Sequence, residues 1–82
     1  MQINELSNNP KLIIGVKQTT KVLTSGRAKV IFIAKDAEQH VVRRIIQLAT
    51  EQEIEIIFVD TMKELGRACN IDVGAATAVI EK

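Results

Sequence analysis

Apolar positions along the 82-residue chain recur with two different periods, and the switching between them predicts the architecture. Residues 16 to 25 follow the helical period. At 100° per residue, Val16, Thr19, Val22 and Leu23 gather on one side, and Lys17, Gln18, Lys21, Thr24 and Ser25 on the other. Gly26 is a natural stop just past that helix. "KVIFIA", 29 to 34, is β-branched and nearly all apolar, the pattern of a strand covered on both faces. Asp36 with Gln39 three residues on has the form of a capping box. It would open a helix on which Val41, Val42, Ile45, Ile46, Leu48 and Ala49 recur at helical spacing. "EIIFV", 55 to 59, reads as a second buried strand. Thr61 with Glu64 repeats the capping-box signal and starts a short helix through Ala68. "GAATAVI", 74 to 80, reads as a third strong strand. Upstream, residues 2 to 8 fit a short helix ended by "NNP", and Leu12-Ile13-Ile14 is either a short strand or a buried run-in to Gly15.

Strands alternating with helices predict the α/β class: a three-layer α/β/α sandwich around a mixed sheet of about four strands. The length suits one domain, residues 1–82. Gly66 falls inside the short third helix, where it costs about 1 kcal/mol relative to Ala. A close backbone approach by a neighbour or a ligand would offset that cost.

Composition narrows the class. With 46% hydrophobic residues and one Pro, the chain should fold and not remain disordered. One Cys cannot form an internal disulfide, and no apolar run approaches the roughly 18 residues of a membrane span. The start "MQINELSNNPK" lacks the basic-then-apolar pattern of an export signal, so a cytoplasmic protein is expected. Nothing in the chain demands more than a monomer.

The net charge of +1 conceals an uneven distribution. From Lys11 to Lys35 there are six basic residues and no acidic one; from Asp36 to Glu64, seven acidic against three basic. One reading is a single positive region facing phosphate, with Arg27 and Lys35 contributing to it. The other is chance clustering in a short chain.

Candidates for catalysis are few. His40 is the only His and Cys69 the only Cys, so no repeated metal set and no Cys with a choice of bases can be assembled. Cys69 reads as a small packing residue and His40 as a solvated one. The carboxylates at 51, 53 and 55 read as a solvated edge. "GVKQTTK" lacks the paired glycines and Gly-Lys-Ser/Thr ending of a nucleotide cradle. With no general base near Gly15, an enzyme acting on a phosphorylated ligand has little support, and neither an enzymatic activity nor a cofactor is expected. Aromatic residues are limited to Phe32 and Phe58, each inside an apolar strand. Stacking of single-stranded bases on exposed rings is therefore not expected, and any RNA partner should be a folded element.

The segment "GVKQTTKVL", 15 to 23, then stands out. Gly15 would leave the backbone open at a helix N-terminus, where free N–H groups and the helix dipole favour a phosphate. Lys17 can donate to guanine O6 or N7, Gln18 can donate and accept at a base edge, and Lys21 one turn later suits a phosphate. An ordinary solvated helix face has the same pattern.

"GVKQTTKVLTSGRAKVIFIAKDAE" followed by "TMKELGRACNIDVGAATAVI" resembles the kink-turn-binding ribosomal protein superfamily. That is the large-subunit protein seven-Ae and thirty-e group, and most closely its short bacterial YbxF-like branch. The resemblance spans about residues 10 to 80. It implies a non-enzymatic RNA-binding protein that recognises the kink-turn, a sharply bent helix–internal loop–helix with tandem sheared G·A pairs, in ribosomal or riboswitch-like RNA. It implies that the family motif entering the bend is occupied by Gly15, Lys17, Gln18 and Lys21. It also implies that the loop covering a flipped-out nucleotide is Cys69, Asn70, Ile71, Asp72, Val73 and Gly74. Asn70 stands where the family has Gly, and Asn tolerates left-handed backbone better than most residues. The alternative is a ribosome-associated protein-interaction module with only non-specific RNA affinity.

Overall fold

The computed structural model describes residues 3–82, with side chains from Leu6 onward. A 3-10 helix at Ile3–Asn8 is followed by β1 (Leu12–Ile14), α1 (Val16–Thr24), β2 (Ala28–Ala34) and α2 (Gln39–Glu51). Then come β3 (Glu55–Val59), α3 (Met62–Ala68) and β4 (Thr77–Glu81). Gln2, at the start of the expected N-terminal helix, lies outside the described residues.

The four strands form one mixed sheet in the order β1-β4-β2-β3. Both β1 and β2 run antiparallel to β4, so they are parallel to each other with α1 connecting them; β2 and β3 are parallel neighbours joined by α2. Two right-handed crossovers advancing in the same direction place their helices on the same face of the sheet, and α1 and α2 do pack together. The N-terminal 3-10 helix and α3 pack against each other and cover the opposite face. Ile31, Phe32 and Ile33 of β2 and Ala78 and Val79 of β4 are accordingly buried on both sides of the sheet. Leu6, Leu23, Ile45 and Leu65 seal the layers from above and below.

Each helix ends in the same way. In α1 the N–H groups of Gly26 and Arg27 donate to Leu23 and Val22 carbonyls, 3.1 Å each; in α2 those of Glu53 and Ile54 donate to Thr50 and Ala49. In α3 those of Asn70 and Ile71 donate to Arg67 and Gly66, 3.0 Å each. This is the Schellman arrangement, and it requires a left-handed residue just past each helix. Gly26 (φ 72°), Glu53 (φ 57°) and Asn70 (φ 63°) fill that position. Gly26 is the expected stop, and Asn70 adopts the left-handed backbone that Asn tolerates better than most residues.

Three expectations are corrected. "EIIFV" is not a buried strand: β3 lies at the sheet edge, where an apolar run looks the same in sequence as an interior one. Phe58 is consequently 50% exposed, so one aromatic ring does reach the surface. Asp36 does not cap α2, which starts after Glu38 with no side-chain cap. Its Oδ1 instead accepts from the Met62 N–H at 2.7 Å, 26 residues away, at the first turn of α3. Thr61 caps that helix as expected, accepting from the Glu64 N–H at 3.0 Å. Finally, β4 starts at Thr77, not 74, because residues 74–76 belong to the loop before it.

Candidate nucleic-acid interface

Because β1, β2 and β3 are parallel, their C-terminal ends share one end of the sheet, and β4 begins there. The segments leaving or entering at that end are tied together by the backbone. The Gly15 N–H donates to the Thr77 carbonyl (3.0 Å), that of Ala34 to Ala76 (2.9 Å), and that of Lys35 to Val59 (2.7 Å). The start of α1 and the loop over residues 69–76 are thereby neighbours, although some 55 positions apart in sequence.

Gly15 holds φ 113° and ψ 154° as the N-cap of α1, a conformation that costs an L side chain about 1–3 kcal/mol. A Cβ there would meet nothing within 4 Å, so backbone conformation and not crowding demands glycine. The first helical bond is Thr19 N–H to Gly15 carbonyl, 2.9 Å. The N–H groups of Val16, Lys17 and Gln18 precede it, no side chain caps them, and the first turn carries no acid. This helix start has the positive end of its dipole open to an anion.

Lys17 and Gln18 are exposed in the first turn of α1, and Lys21 is exposed in its last turn. Thr24 and Ser25, which share their face in the sequence pattern, turn back and donate to the Lys21 carbonyl at 3.1 and 3.0 Å. The outward polar groups of α1 thus reduce to Lys17, Gln18 and Lys21. The buried side is anchored by Thr77, whose hydroxyl donates to that of Thr19 at 3.1 Å; both are fully buried. This bond fixes the rotation of α1 about its axis relative to β4, and with it the direction of the three polar side chains.

The loop is equally constrained. It leaves α3 through the Schellman turn at Asn70 and runs back along that helix. The Ala75 N–H donates to the Met62 carbonyl at 3.0 Å. The Val73 carbonyl lies directly against Gly66, and Gly74 against Met62. The close approach expected at Gly66 is therefore made by the chain's own loop. Val73, pushed outward, is 70% exposed; Asn70, Asp72 and Gly74 are also exposed, and Ile71 is half-buried.

Not every expected residue joins this end. Arg27 lies at the other end of the sheet, because α1 carries the chain there before β2 begins. It is paired with Glu81 at 3.0 Å and donates from Nε to Ser25 Oγ at 2.9 Å. The single positive region read from residues 11 to 35 therefore divides: Lys17 and Lys35 at one end, Lys11, Arg27 and Lys29 towards the other, with Lys21 between them in the last turn of α1. Lys35 is near the site but paired with Asp60, 3.2 Å. Cys69 faces the core as the C-cap of α3, and burial pushes its thiol pKa up. It supports the loop from beneath and presents no surface group. His40 is solvated and lies 3.2 Å from Glu38.

Two residues escaped the sequence reading. Lys63 and Arg67 stand four apart on α3 and, with residues 70–74, line a cleft of about 340 Å³. Their i, i+4 spacing was the available signal, masked by the acidic surroundings. Among the described residues there is no cluster of three metal-ligating side chains, and no helix is long and apolar enough to cross a membrane.

Residues 2–82 match the family described as "Ribosomal protein L7Ae/L30e/S12e/Gadd45 family". The chain is 54% identical over 69 residues to an RNA-binding protein of Caldanaerobacter subterraneus subsp. tengcongensis, covering 84% of each chain. It is 40% identical over 70 residues to the RNA-binding protein YbxF of Geobacillus stearothermophilus, covering 85% of each. Among solved structures, the Giardia lamblia 15.5kD RNA binding protein superposes with a TM-score of 0.87 at 25% identity, over 98% of this chain and 68% of that one.

Proposed function

The chain belongs to the ribosomal protein L7Ae/L30e/S12e/Gadd45 family, in its short bacterial YbxF-like branch, and on that premise we propose that it is an RNA-binding protein, without enzymatic activity, that recognises kink-turn RNA and stabilises its bent form. The observation that carries the reading is the pairing of two features at one end of the sheet. One is the uncapped start of α1 with Lys17 and Gln18 in its first turn and Lys21 one turn on; the other is the braced loop that exposes Val73.

The division of labour follows from the side chains. Lys17 donates to guanine O6 or N7 in the sheared pairs, and Gln18 donates and accepts at a neighbouring base edge. Lys21 and the free amides of the first helical turn take phosphate. Val73 and Ile71 offer apolar cover to a base that the bend has unstacked. A protein shifts RNA toward the kinked form only by its differential affinity for that form. Rigidity of the platform is what makes the difference large, since a site that adapts to straight RNA gains nothing by bending it. The Thr19–Thr77 bond and the Gly66–Val73 contact supply that rigidity.

Replacement of Lys17 and Gln18 together by Ala tests the assignment. Both side chains are exposed, so the fold and melting temperature should be retained while specific binding is abolished. Retained nanomolar binding of a kinked RNA by the variant would overturn the reading.

A further inference from the structure

The loop over residues 70–76 separates two cationic helices on opposite faces of the sheet. On one side stands α1 with Lys17 and Lys21; on the other stands α3 with Lys63 and Arg67. We propose that Lys63 and Arg67 form a second phosphate-binding site, the cleft between α3 and the loop, which takes the backbone of the RNA arm that leaves the bend on the far side from α1. The inference rests on the kink-turn reading and extends it by naming where the second arm is held.

Three observations support it. Lys63 and Arg67 are exposed and, among the described residues, neither side chain has an ion-pair or hydrogen-bond partner. Other cations of this protein, Arg27 and Lys35, are already neutralised by carboxylates. Next, residues four apart on a helix have Cβ atoms roughly 5–6 Å apart on one face, so the two charges act together and not on separate surfaces. Lastly, the site is concave, about 340 Å³, with Ile71 half-buried in its wall and Asn70 at its rim. The concavity exists because the Val73 carbonyl can rest on Gly66, which brings the loop back alongside α3. Asp72, also in the wall, is outnumbered by the two cations.

Geometry then favours bent over straight RNA. A duplex lying along α1 has its phosphates on that side of the sheet end only. An RNA that turns sharply at the loop brings a second set of phosphates round to α3. Both cation pairs are engaged only when the bend is present, so α3 adds to discrimination as well as to affinity.

The test is the double variant Lys63→Gln/Arg67→Gln, titrated against a kink-turn RNA and a straight duplex control at several salt concentrations. Each lost phosphate contact should lower the slope of log K against log salt by about 1. The expected result is a slope smaller by about 2 on the kinked RNA, an affinity about ten- to a hundredfold weaker near 0.1 M salt, and no change on the straight control. An unchanged slope on the kinked RNA would overturn the proposal, as would equal losses on both RNAs. Loss of kinked-over-straight discrimination in the unmodified protein would instead refute the kink-turn reading itself. An unchanged circular dichroism spectrum and melting temperature establish that the variant is folded.

Discussion

Gly66→Ala separates a helix-propensity account of this protein from one built on the loop. In an isolated helix the change is favourable by about 1 kcal/mol. Here a Cβ on Gly66 would overlap the Val73 carbonyl oxygen and stand 3.1 Å from both the Val73 carbonyl carbon and Gly74 Cα. All three obstructing atoms are backbone, and the loop is pinned on either side by Ile71 N–H to Gly66 and Ala75 N–H to Met62, 3.0 Å each. No side chain can swing away. Overpacking of this kind costs about 1–3 kcal/mol and upwards, and the backbone obstruction places it at the upper end. The net destabilisation should be about 2 kcal/mol, a fall in melting temperature of about 8–16 °C for a domain of this size. The loop must also lift off α3, so RNA affinity should fall about tenfold or more, beyond any effect of stability. Thermal melts followed by circular dichroism, with an RNA titration well below the melting temperature, measure both. Gly74→Ala is the control: its Cβ would meet Met62 Cβ at 3.1 Å and the Met62 carbonyl carbon and oxygen at 3.3 and 3.4 Å, contacts that a small shift relieves without the overlap met at Gly66, and the loss should be smaller. A Gly66→Ala variant that melts at or above the original temperature and binds RNA equally well would refute the argument.

Other consequences follow from single contacts. Thr77→Val removes the donor to Thr19 inside the core and should cost about 1–3 kcal/mol, whereas Thr19→Val/Thr77→Val together should cost less than the sum of the two; urea melts of the four proteins decide this. Glu53 occupies a left-handed position that costs a non-glycine residue roughly 1–2 kcal/mol. Glu53→Gly should therefore raise the melting temperature by several degrees without altering RNA binding, and a fall would show that the Glu53 side chain is needed.

Much of this architecture was legible in the amino-acid order, and the exceptions share a cause. "KVIFIA" and the helical period of 39–51 identify their elements because burial of β2 and of one side of α2 imposes those patterns directly. The start of α1 was also legible, since Gly15, Lys17, Gln18 and Lys21 are spaced by the helix itself. The errors arose where a residue's partner is remote. Asp36 carries a local capping pattern yet serves α3, which the fold brings to the same end of the sheet. Arg27 is near Lys21 in sequence but separated from the start of α1 by the length of the helix. Strand β3 has the composition of an interior strand, and nothing local reveals that it has a neighbour on one side only. Lys63 and Arg67 gain significance only from the loop folded back beside them. Gly66 is the contrary case: its cost inside a helix signalled a close approach before the approaching group was known.

The central claim is recognition of a kinked RNA by shape and by its sheared pairs. The most direct measurement is titration of the purified protein against a kink-turn RNA and against the same RNA with both sheared G·A pairs replaced by Watson–Crick pairs. Tight binding to the first and loss of binding to the second is the predicted result. Equal, weak and salt-sensitive binding to both would reduce the α1 terminus and its lysines to an electrostatic patch, and would contradict the account.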